Sequence, residues 1–372
     1  MKKMLLIAPS LHQGGLEKVC AMTAVALQPY FEVKIAIFDS ANIDFDVEGT
    51  PVIDLKVPPR PGKLAKILNV LKRAHRLNRL KKKEKIDIAY SFGNTANLAN
   101  VFAGRLFGKK GPQCWLGVRS YMDLEGAKIR LYCKCSDRLL CCSETIRQEI
   151  EEKYACDHAY TLQNFFDIAQ IEARADEEAV SLPWEDGRII VSMGREDIVK
   201  GYWHLLKIFS LVHKTLPDTK LLLIGKGEFT AYRKLAADLG IADVVCFAGL
   251  QKNPYPYLKK GTLYLLTSYW EGFPNALVEA MALGLVAVAT DCMTGPAEIF
   301  DGKYGVLVPN MEKEPDMDAS HIEEEERRTA KRVIALLQDE EEMARYRRLS
   351  VERAGDFSKE EYIRKIRELS DD

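Results

Sequence analysis

No stretch of this 372-residue chain holds the roughly 18 consecutive apolar residues that a membrane-spanning helix needs. Tandem repeats and low-complexity tracts are lacking as well, which excludes solenoid and fibrous architectures. Neither sign of charge is in excess overall: 53 Lys and Arg stand against 54 Asp and Glu, a net charge of −1. A chain so balanced has no general attraction to nucleic acid, and none is expected as a partner. Cysteine is present nine times but not at metal-ligand spacing. Cys141 and Cys142, in the apolar run "RLLCCS", are strand neighbours that point to opposite faces and cannot share one ion. Buried thiols in a reducing compartment, the cytoplasm, are expected instead. The start, "MKKMLLIAPSLHQGG", has a basic tip, but its apolar run ends after about five residues, so it reads as a buried strand and not a leader.

What is there describes a globular protein. Hydrophobic residues make up 47% and charged residues 29%, enough for a large core, and the length suggests about two domains. The runs "MLLIAPS", "VKIAIFD", "IDIAYSF", "QCWLGV" and "RLLCCS" read as strands of one parallel sheet, alternating with helical-period segments such as Leu16 to Leu27 and Leu64 to Leu80. A second series, "RIIVSMG", "KLLLIGKG", "DVVCFAG", "LYLLTS", "LVAVAT" and "GVLVP", repeats the pattern. The fold class is therefore α/β, with two doubly wound domains. The polar stretch "RADEEAVSLPWEDG" marks the join, between Phe165 and Arg188. The boundaries expected are 1–167 for the first domain and 168–355 for the second. Tyr362, Ile363, Ile366 and Leu369 share one face of a terminal helix, 356–372, which is expected to return to the first domain. The acidic stretch Met311 to Arg328 reads as a solvated loop and helix start.

Charge is unevenly divided: residues 1–170 carry 26 Lys and Arg against 18 Asp and Glu, and the remainder is acidic. The stretch "YWEGFPNALVEAMALG", Tyr269 to Gly284, follows one apolar strand and precedes another. With Pro274 in the first helical turn and Gly284 as the C-terminal cap, a helix over Pro274 to Leu283 is expected. Its N-terminus lies at the carboxyl end of a parallel strand, where open α/β sheets bind ligands. Free N–H groups from Gly272 to Leu277 favour an anion, and Glu271 and Glu279 offer acceptors for hydroxyls. "SMGREDIVKG" puts Arg195 and Lys200 in another strand-end loop, where two cations suit a diphosphate. A nucleotide sugar combines those groups. "DFD" (Asp44 to Asp46) and "DMD" (Asp316 to Asp318) have a metal-binding form, but neither ends an apolar run, and no metal is expected. "GKGEFT" has Thr230 where a dinucleotide fingerprint needs its third glycine.

Taken in order, "GGLEKV", "VSMGREDIVKG", "LLLIGKGE", "NPYPYLKKGTLYLLTSYWEGFPNALVEAMALGLVAVATD" and "GPAEIF" resemble the family 4 retaining glycosyltransferases of GT-B fold, of the group 1 type, and bacterial surface-polysaccharide enzymes among them. The likeness runs over nearly the whole chain and is densest from Arg188 to Val308. It implies two Rossmann-like domains facing a central cleft, the first for the acceptor and the second for the nucleotide sugar. Arg195 and Lys200 would hold the donor diphosphate, Glu271 the transferred sugar and Glu279 the ribose. Gly272, Phe273, Asn275, Ala276 and Leu277 would supply the backbone around Pro274, which has no amide to give. Gly249 and Leu250 would flank the base, and Gly14 and Gly15 would let the first domain approach the donor. His12, Asn94 and Arg119 are the acceptor candidates. The resemblance implies catalysis by Arg195, Lys200 and Glu271, UDP as the favoured nucleotide, and no cofactor or metal. The alternatives are a nucleotide-sugar 2-epimerase of the same fold and a catalytically silent sugar-nucleotide-binding protein.

One further segment stands out. Eleven of the 26 residues from Arg60 to Lys85 are Lys or Arg and one, Glu84, is acidic. Leu64, Ile67, Leu68 and Leu71 recur at helical spacing, so a buried apolar stripe with the basic residues outward is expected. Such a helix suits an anionic membrane surface or the diphosphate of a polyprenyl-linked acceptor, giving salt-sensitive attachment to the inner face of the cell membrane.

Overall fold

A computed structural model describes residues 1–12, 14–105, 111–124, 126–177 and 179–371. The chain divides into two compact units, Met1–Asn164 with the terminal segment from Lys359, and Phe165–Ser358. Among the described residues no helix is long and apolar enough to cross a membrane.

The first unit alternates strand and helix from its start: β1 (Lys3–Ala8), α1 (Gly15–Leu27), β2 (Glu32–Ile37), β3 (Val52–Asp54), α2 (Lys63–Glu84), β4 (Ile88–Phe92), α3 (Asn94–Arg105), β5 (Gln113–Val118), α4 (Ala127–Cys135), β6 (Arg138–Cys141), α5 (Glu144–Tyr154) and β7 (Ala159–Thr161). Its strands pair in parallel in the order β3-β2-β1-β4-β5-β6-β7. Central strands covered on both faces need continuous apolar sequence, and Met4 to Ala8 and Ile88 to Phe92 are buried throughout. The edge strands β3 and β7 were not expected. At three residues each they are too short for any alternation to show.

The second unit runs α6 (Ile168–Ala175), β8 (Arg188–Met193), α7 (Tyr202–Thr215), β9 (Thr219–Ile224), α8 (Thr230–Asp238), β10 (Val245–Gly249), α9 (Tyr255–Lys259), β11 (Leu263–Leu266), α10 (Asn275–Ala282), β12 (Val286–Thr290), α11 (Pro296–Phe300), β13 (Val306–Val308), α12 (Glu324–Gln338) and α13 (Glu340–Asp356). Its parallel sheet is ordered β10-β9-β8-β11-β12-β13. Trp203, Leu206, Phe209 and Val212 of α7 are fully buried against that sheet and α12. The acidic stretch is less solvated than expected: Met311 is buried, and Asp316 pairs with the fully buried Lys207 ammonium at 2.7 Å.

In each unit the strand order reverses next to the first strand, between β1 and β4 and between β8 and β11. Loops leaving those strands diverge to opposite faces of the sheet and open a crevice at their carboxyl ends. The terminal helix α14 (Lys359–Asp371) belongs to the first unit, with Tyr362 and Ile366 buried and the Tyr362 hydroxyl 2.9 Å from Thr23 Oγ1 of α1.

Two expectations require correction. The inner face of α2 carries Asn69, Arg73, Ala74, Leu77, Leu80 and Lys81, and the Leu64, Ile67, Leu68, Leu71 stripe is exposed. Arg73 can be inward because Nη2 donates to the Val57 carbonyl at 2.8 Å and its guanidinium lies 4.4 Å from the Phe38 ring centroid. The other concerns Pro274, which caps α10 in an extended conformation (φ −73°, ψ 91°) instead of forming its first turn, so the helix begins at Asn275. Gly284 follows the helix with φ +76°, as a C-terminal cap requires.

Candidate active site

The loops after β8 and β11 flank the reversal in the second sheet, and the chain ties them together. Thr267, at the end of β11, donates its hydroxyl to the carbonyls of Lys200 at 2.9 Å and Gly201 at 3.1 Å. Gly201 has φ +57°, and a Cβ there would stand 2.4 Å from the Thr267 carbonyl oxygen, so only glycine lets the loops approach this closely. Gly225, after β9, meets the same limit, with a Cβ position 1.8 Å from the Gly194 carbonyl oxygen. The Tyr202 hydroxyl donates to that same carbonyl at 2.9 Å. Fixed this way, Lys200 ends a short 3-10 turn, Ile198–Lys200, whose cap is Asp197.

The Lys200 ammonium lies 2.6 Å from Glu271 Oε1, with 19% and 11% of the two side chains exposed. Seventy-one positions separate the residues, and only the strand order brings them together. The sequence motifs point both residues to strand-end loops, but nothing in them indicates the pair. The Glu271 carbonyl accepts from the Thr294 hydroxyl, which holds the turn in place from the loop after β12. Burial pushes the Cys292 thiol up to about 12, so beside this pair it stays protonated and is a poor nucleophile. Arg195 reaches outward, 71% exposed, with Nη2 2.7 Å from Asp197 Oδ2.

Beyond Glu271 the chain makes a buried turn through Gly272, Phe273 and Pro274 into α10. Phe273 packs against Phe166 and Phe357, at centroid distances of 6.4 and 5.2 Å. The amides of Asn275, Ala276 and Leu277 open the helix; that of Leu277 already donates to the Pro274 carbonyl at 3.0 Å. Glu279 is 3% exposed, one turn further along α10. Gly249 ends β10, accepts from the Gly225 amide at 2.9 Å and is followed by the half-exposed Leu250. The structure thus gathers Lys200 and Glu271 into one pair, puts Arg195 in the same loop as Lys200, and sets Glu279 behind the turn. Asp197, Thr267 and Thr294, which position them, carried no recognisable sequence signal.

In the first unit, Gly14 caps α1 and Gly15 begins it. His12 Nδ1 lies 2.5 Å from Asp44 Oδ2 in the loop after β1. Asn94, at the start of α3, donates to Asp123 at 2.5 Å and accepts from the Tyr132 hydroxyl at 3.0 Å. Arg119 donates to Asn164 Oδ1 at 2.8 Å and to the Tyr90 hydroxyl, with its guanidinium 5.1 Å from the Phe92 ring centroid. Asn94 and Arg119 therefore brace this end of the sheet.

Both Asp-x-Asp stretches have structural work. Asp44 meets His12 and Asp46 accepts from the Glu48 amide, while Asp316 holds Lys207 and Asp318 accepts from the Ser320 amide. Among the described residues, one trio has the spacing for a metal ion: His204, Glu323 and Glu326. Glu323 and Glu326 form the capping box of α12, and His204 spans Glu326 Oε1 at 2.6 Å and the Glu312 carbonyl at 2.8 Å. None of the nine cysteines is joined in a disulfide.

Two parallel sheets, each with a strand-order reversal, and a cation–carboxylate pair from the two loops that flank the second reversal define a doubly wound α/β protein with a charged strand-end crevice. Residues 174–349 match the family model of the glycosyl transferases group 1. An uncharacterized glycosyltransferase of Methanocaldococcus jannaschii is 33% identical over 199 residues, covering 49% of each chain, so the match spans about half the length of that relative. The N-acetylgalactosamine-N,N'-diacetylbacillosaminyl-diphospho-undecaprenol 4-alpha-N-acetylgalactosaminyltransferase of Campylobacter jejuni is 27% identical over 323 residues, 83% of this chain and 86% of that one. Anabaena HepE, solved with UDP and glucose, superposes with a TM-score of 0.77 at 17% identity over 99% of both chains. The fold is GT-B.

Proposed function

We propose that the chain is a retaining glycosyltransferase that moves a hexose or N-acetylhexosamine from a nucleoside diphosphate sugar, UDP favoured, to a glycan acceptor in cell-surface polysaccharide synthesis. The observation that carries this reading is the Lys200–Glu271 pair at the switch point of the second sheet, next to the N-terminus of α10. A donor diphosphate suits that position: its charge meets the Lys200 ammonium and the α10 amides, while Glu271 accepts hydrogen bonds from sugar hydroxyls. As the sugar–phosphate bond breaks, negative charge grows on the leaving diphosphate, and Lys200 and Arg195 stabilise it. The departing phosphate takes the proton of the incoming hydroxyl on the same face, which retains configuration without a protein nucleophile. The UDP-bound neighbour and the diphospho-undecaprenol named for the Campylobacter relative favour UDP and a lipid-linked acceptor. On this reading the first unit binds the acceptor, and the protein works at the inner face of the cell membrane.

The test is incubation with a panel of UDP-sugars, with and without a membrane extract as acceptor, followed by mass spectrometry. Acceptor-dependent nucleotide release with a new glycan product is expected. Isomerised sugar without acceptor would establish the epimerase instead, and binding without turnover the silent binder. Transfer should also persist in EDTA, because the protein's own cations face the diphosphate. Complete loss, reversed by Mn²⁺ or Mg²⁺, would overturn the metal-free reading.

A further inference from the structure

Burial raises the thiols of Cys20, Cys114, Cys141, Cys246 and Cys292, which keeps them protonated and poorly reactive. Cys156 goes the other way. It lies between α5 and β7 with 3% of its surface exposed, yet its thiol is held below the usual range. The main cause is a hydrogen bond donated by the Cys133 thiol, which is itself raised by that contact. The His158 imidazole adds to the effect, with Nε2 3.6 Å from Cys156 Sγ.

The fold of the first unit makes this contact. Cys133 stands in the last turn of α4, half-buried, and the chain runs on through β6 and α5 before Cys156. It comes back to α4 because β7 pairs with β6. The Leu139 amide donates to the His158 carbonyl at 2.9 Å, and Ser136 Oγ lies 3.3 Å from His158 Nε2. Ser136 Oγ also donates to the Tyr132 carbonyl at 2.8 Å, so the turn after Cys156 is fastened to the end of α4 beside Cys133. Cys135 is turned roughly 200° from Cys133 around that helix and interacts with Cys114 instead. The His158 side chain is 22% exposed and Cys133 is half-buried, so solvent reaches the group from two sides.

We infer that Cys133 and Cys156 are a modification site, a dithiol that a small hydroperoxide converts to a disulfide. The Cys156 thiolate attacks the terminal oxygen of the hydroperoxide and the O–O bond breaks. The leaving oxygen takes the proton that Cys156 gave up, for which His158 Nε2 is the nearest carrier, and Cys156 becomes a sulfenic acid. The Cys133 sulfur then attacks the Cys156 sulfur, the S–O bond breaks, and water leaves with the Cys133 proton. The two thiols lose one electron pair and the hydroperoxide gains it. One thiolate beside one protonated partner is the arrangement this sequence needs: the first attacks, the second resolves. Nothing in the step depends on glycosyl transfer.

The experiment exposes the full chain, reduced and then freed of reductant, to a small excess of hydrogen peroxide. Remaining thiols are alkylated and the peptides mapped by mass spectrometry. The expected product is a Cys133–Cys156 crosslink that dithiothreitol reverses, with the other seven cysteines alkylated. Cys133→Ser should stop at the Cys156 sulfenic acid, trapped by dimedone. Cys156→Ser should slow peroxide consumption about tenfold or more, since the remaining thiols are less ionised. Thermal unfolding of both variants separates lost chemistry from lost folding, and the map of the native chain decides by itself if a variant does not fold. Absence of the Cys133–Cys156 crosslink in the native chain overturns the proposal. So does a crosslink that joins either residue to another cysteine, or oxidation of Cys156→Ser at the native rate.

Discussion

Replacement of Lys200 by Ala is expected to lower kcat by about 10²- to 10³-fold, the loss that accompanies removal of one charge-stabilising donor from a preorganised site. Three features set the size. The ammonium is largely buried at 19% exposure, so its interactions are not diluted by bulk water. Its loop is fixed by Thr267 and by the tight approach at Gly201, so the charge needs little reorganisation when the diphosphate leaves. In the proposed function its partner Glu271 also accepts from the sugar, so the ammonium would be shared between carboxylate and phosphate. Lys200→Arg should rescue poorly, because a planar guanidinium cannot occupy the position of a compact ammonium 2.6 Å from Glu271 Oε1. Arg195→Ala should act more weakly, since Arg195 is 71% exposed and already held by Asp197. Steady-state kinetics on the three variants, with thermal unfolding as a control for folding, decide this. A Lys200→Ala enzyme within fivefold of the native kcat would remove Lys200 from the mechanism.

Much of this site was legible before any coordinates, for a topological reason. A strand-end loop in a doubly wound sheet must face the crevice, so recognising "RIIVSMG" and "LYLLTS" as strands already places Arg195, Lys200 and Glu271 near one another. That Lys200 and Glu271 make an ion pair was not legible, since it depends on β8 and β11 being neighbours in the sheet. The orientation of α2 was misread for a different reason. Apolar periodicity assumes that the inner face is apolar, whereas the inner Asn69, Arg73 and Lys81 are satisfied by the Pro58 carbonyl, the Val57 carbonyl and Asn100. A polar side chain that finds a buried acceptor leaves no trace in hydropathy. Arg119, at the end of an apolar strand, is likewise tied to Asn164 and Tyr90, contacts that hydropathy does not show.

The two glutamates of the β11–α10 segment should separate sharply on mutation. Glu279 is 3% exposed and one turn into α10, behind the buried Gly272–Pro274 turn, while Glu271 stands ahead of it paired to Lys200. If Glu279 accepts from the ribose hydroxyls, its replacement by Ala removes charged hydrogen bonds worth about 1.5 to 3 kcal/mol each, and UDP affinity should fall roughly 10- to 100-fold. Glu271→Ala should leave UDP affinity within about threefold. UDP carries no sugar for Glu271 to hold, and the freed Lys200 ammonium becomes more available to the diphosphate. Transfer by Glu271→Ala should nevertheless be lost, because the sugar hydroxyls lose their acceptor in the transition state. Isothermal titration with UDP, run alongside transfer assays on both variants, reads the two effects apart. Glu279→Gln adds the needed control, since it keeps the buried volume and one acceptor oxygen while removing the charge. Affinity that falls equally in Glu271→Ala and Glu279→Ala would mean that both carboxylates serve the nucleotide. The sugar would then have to be held by other residues.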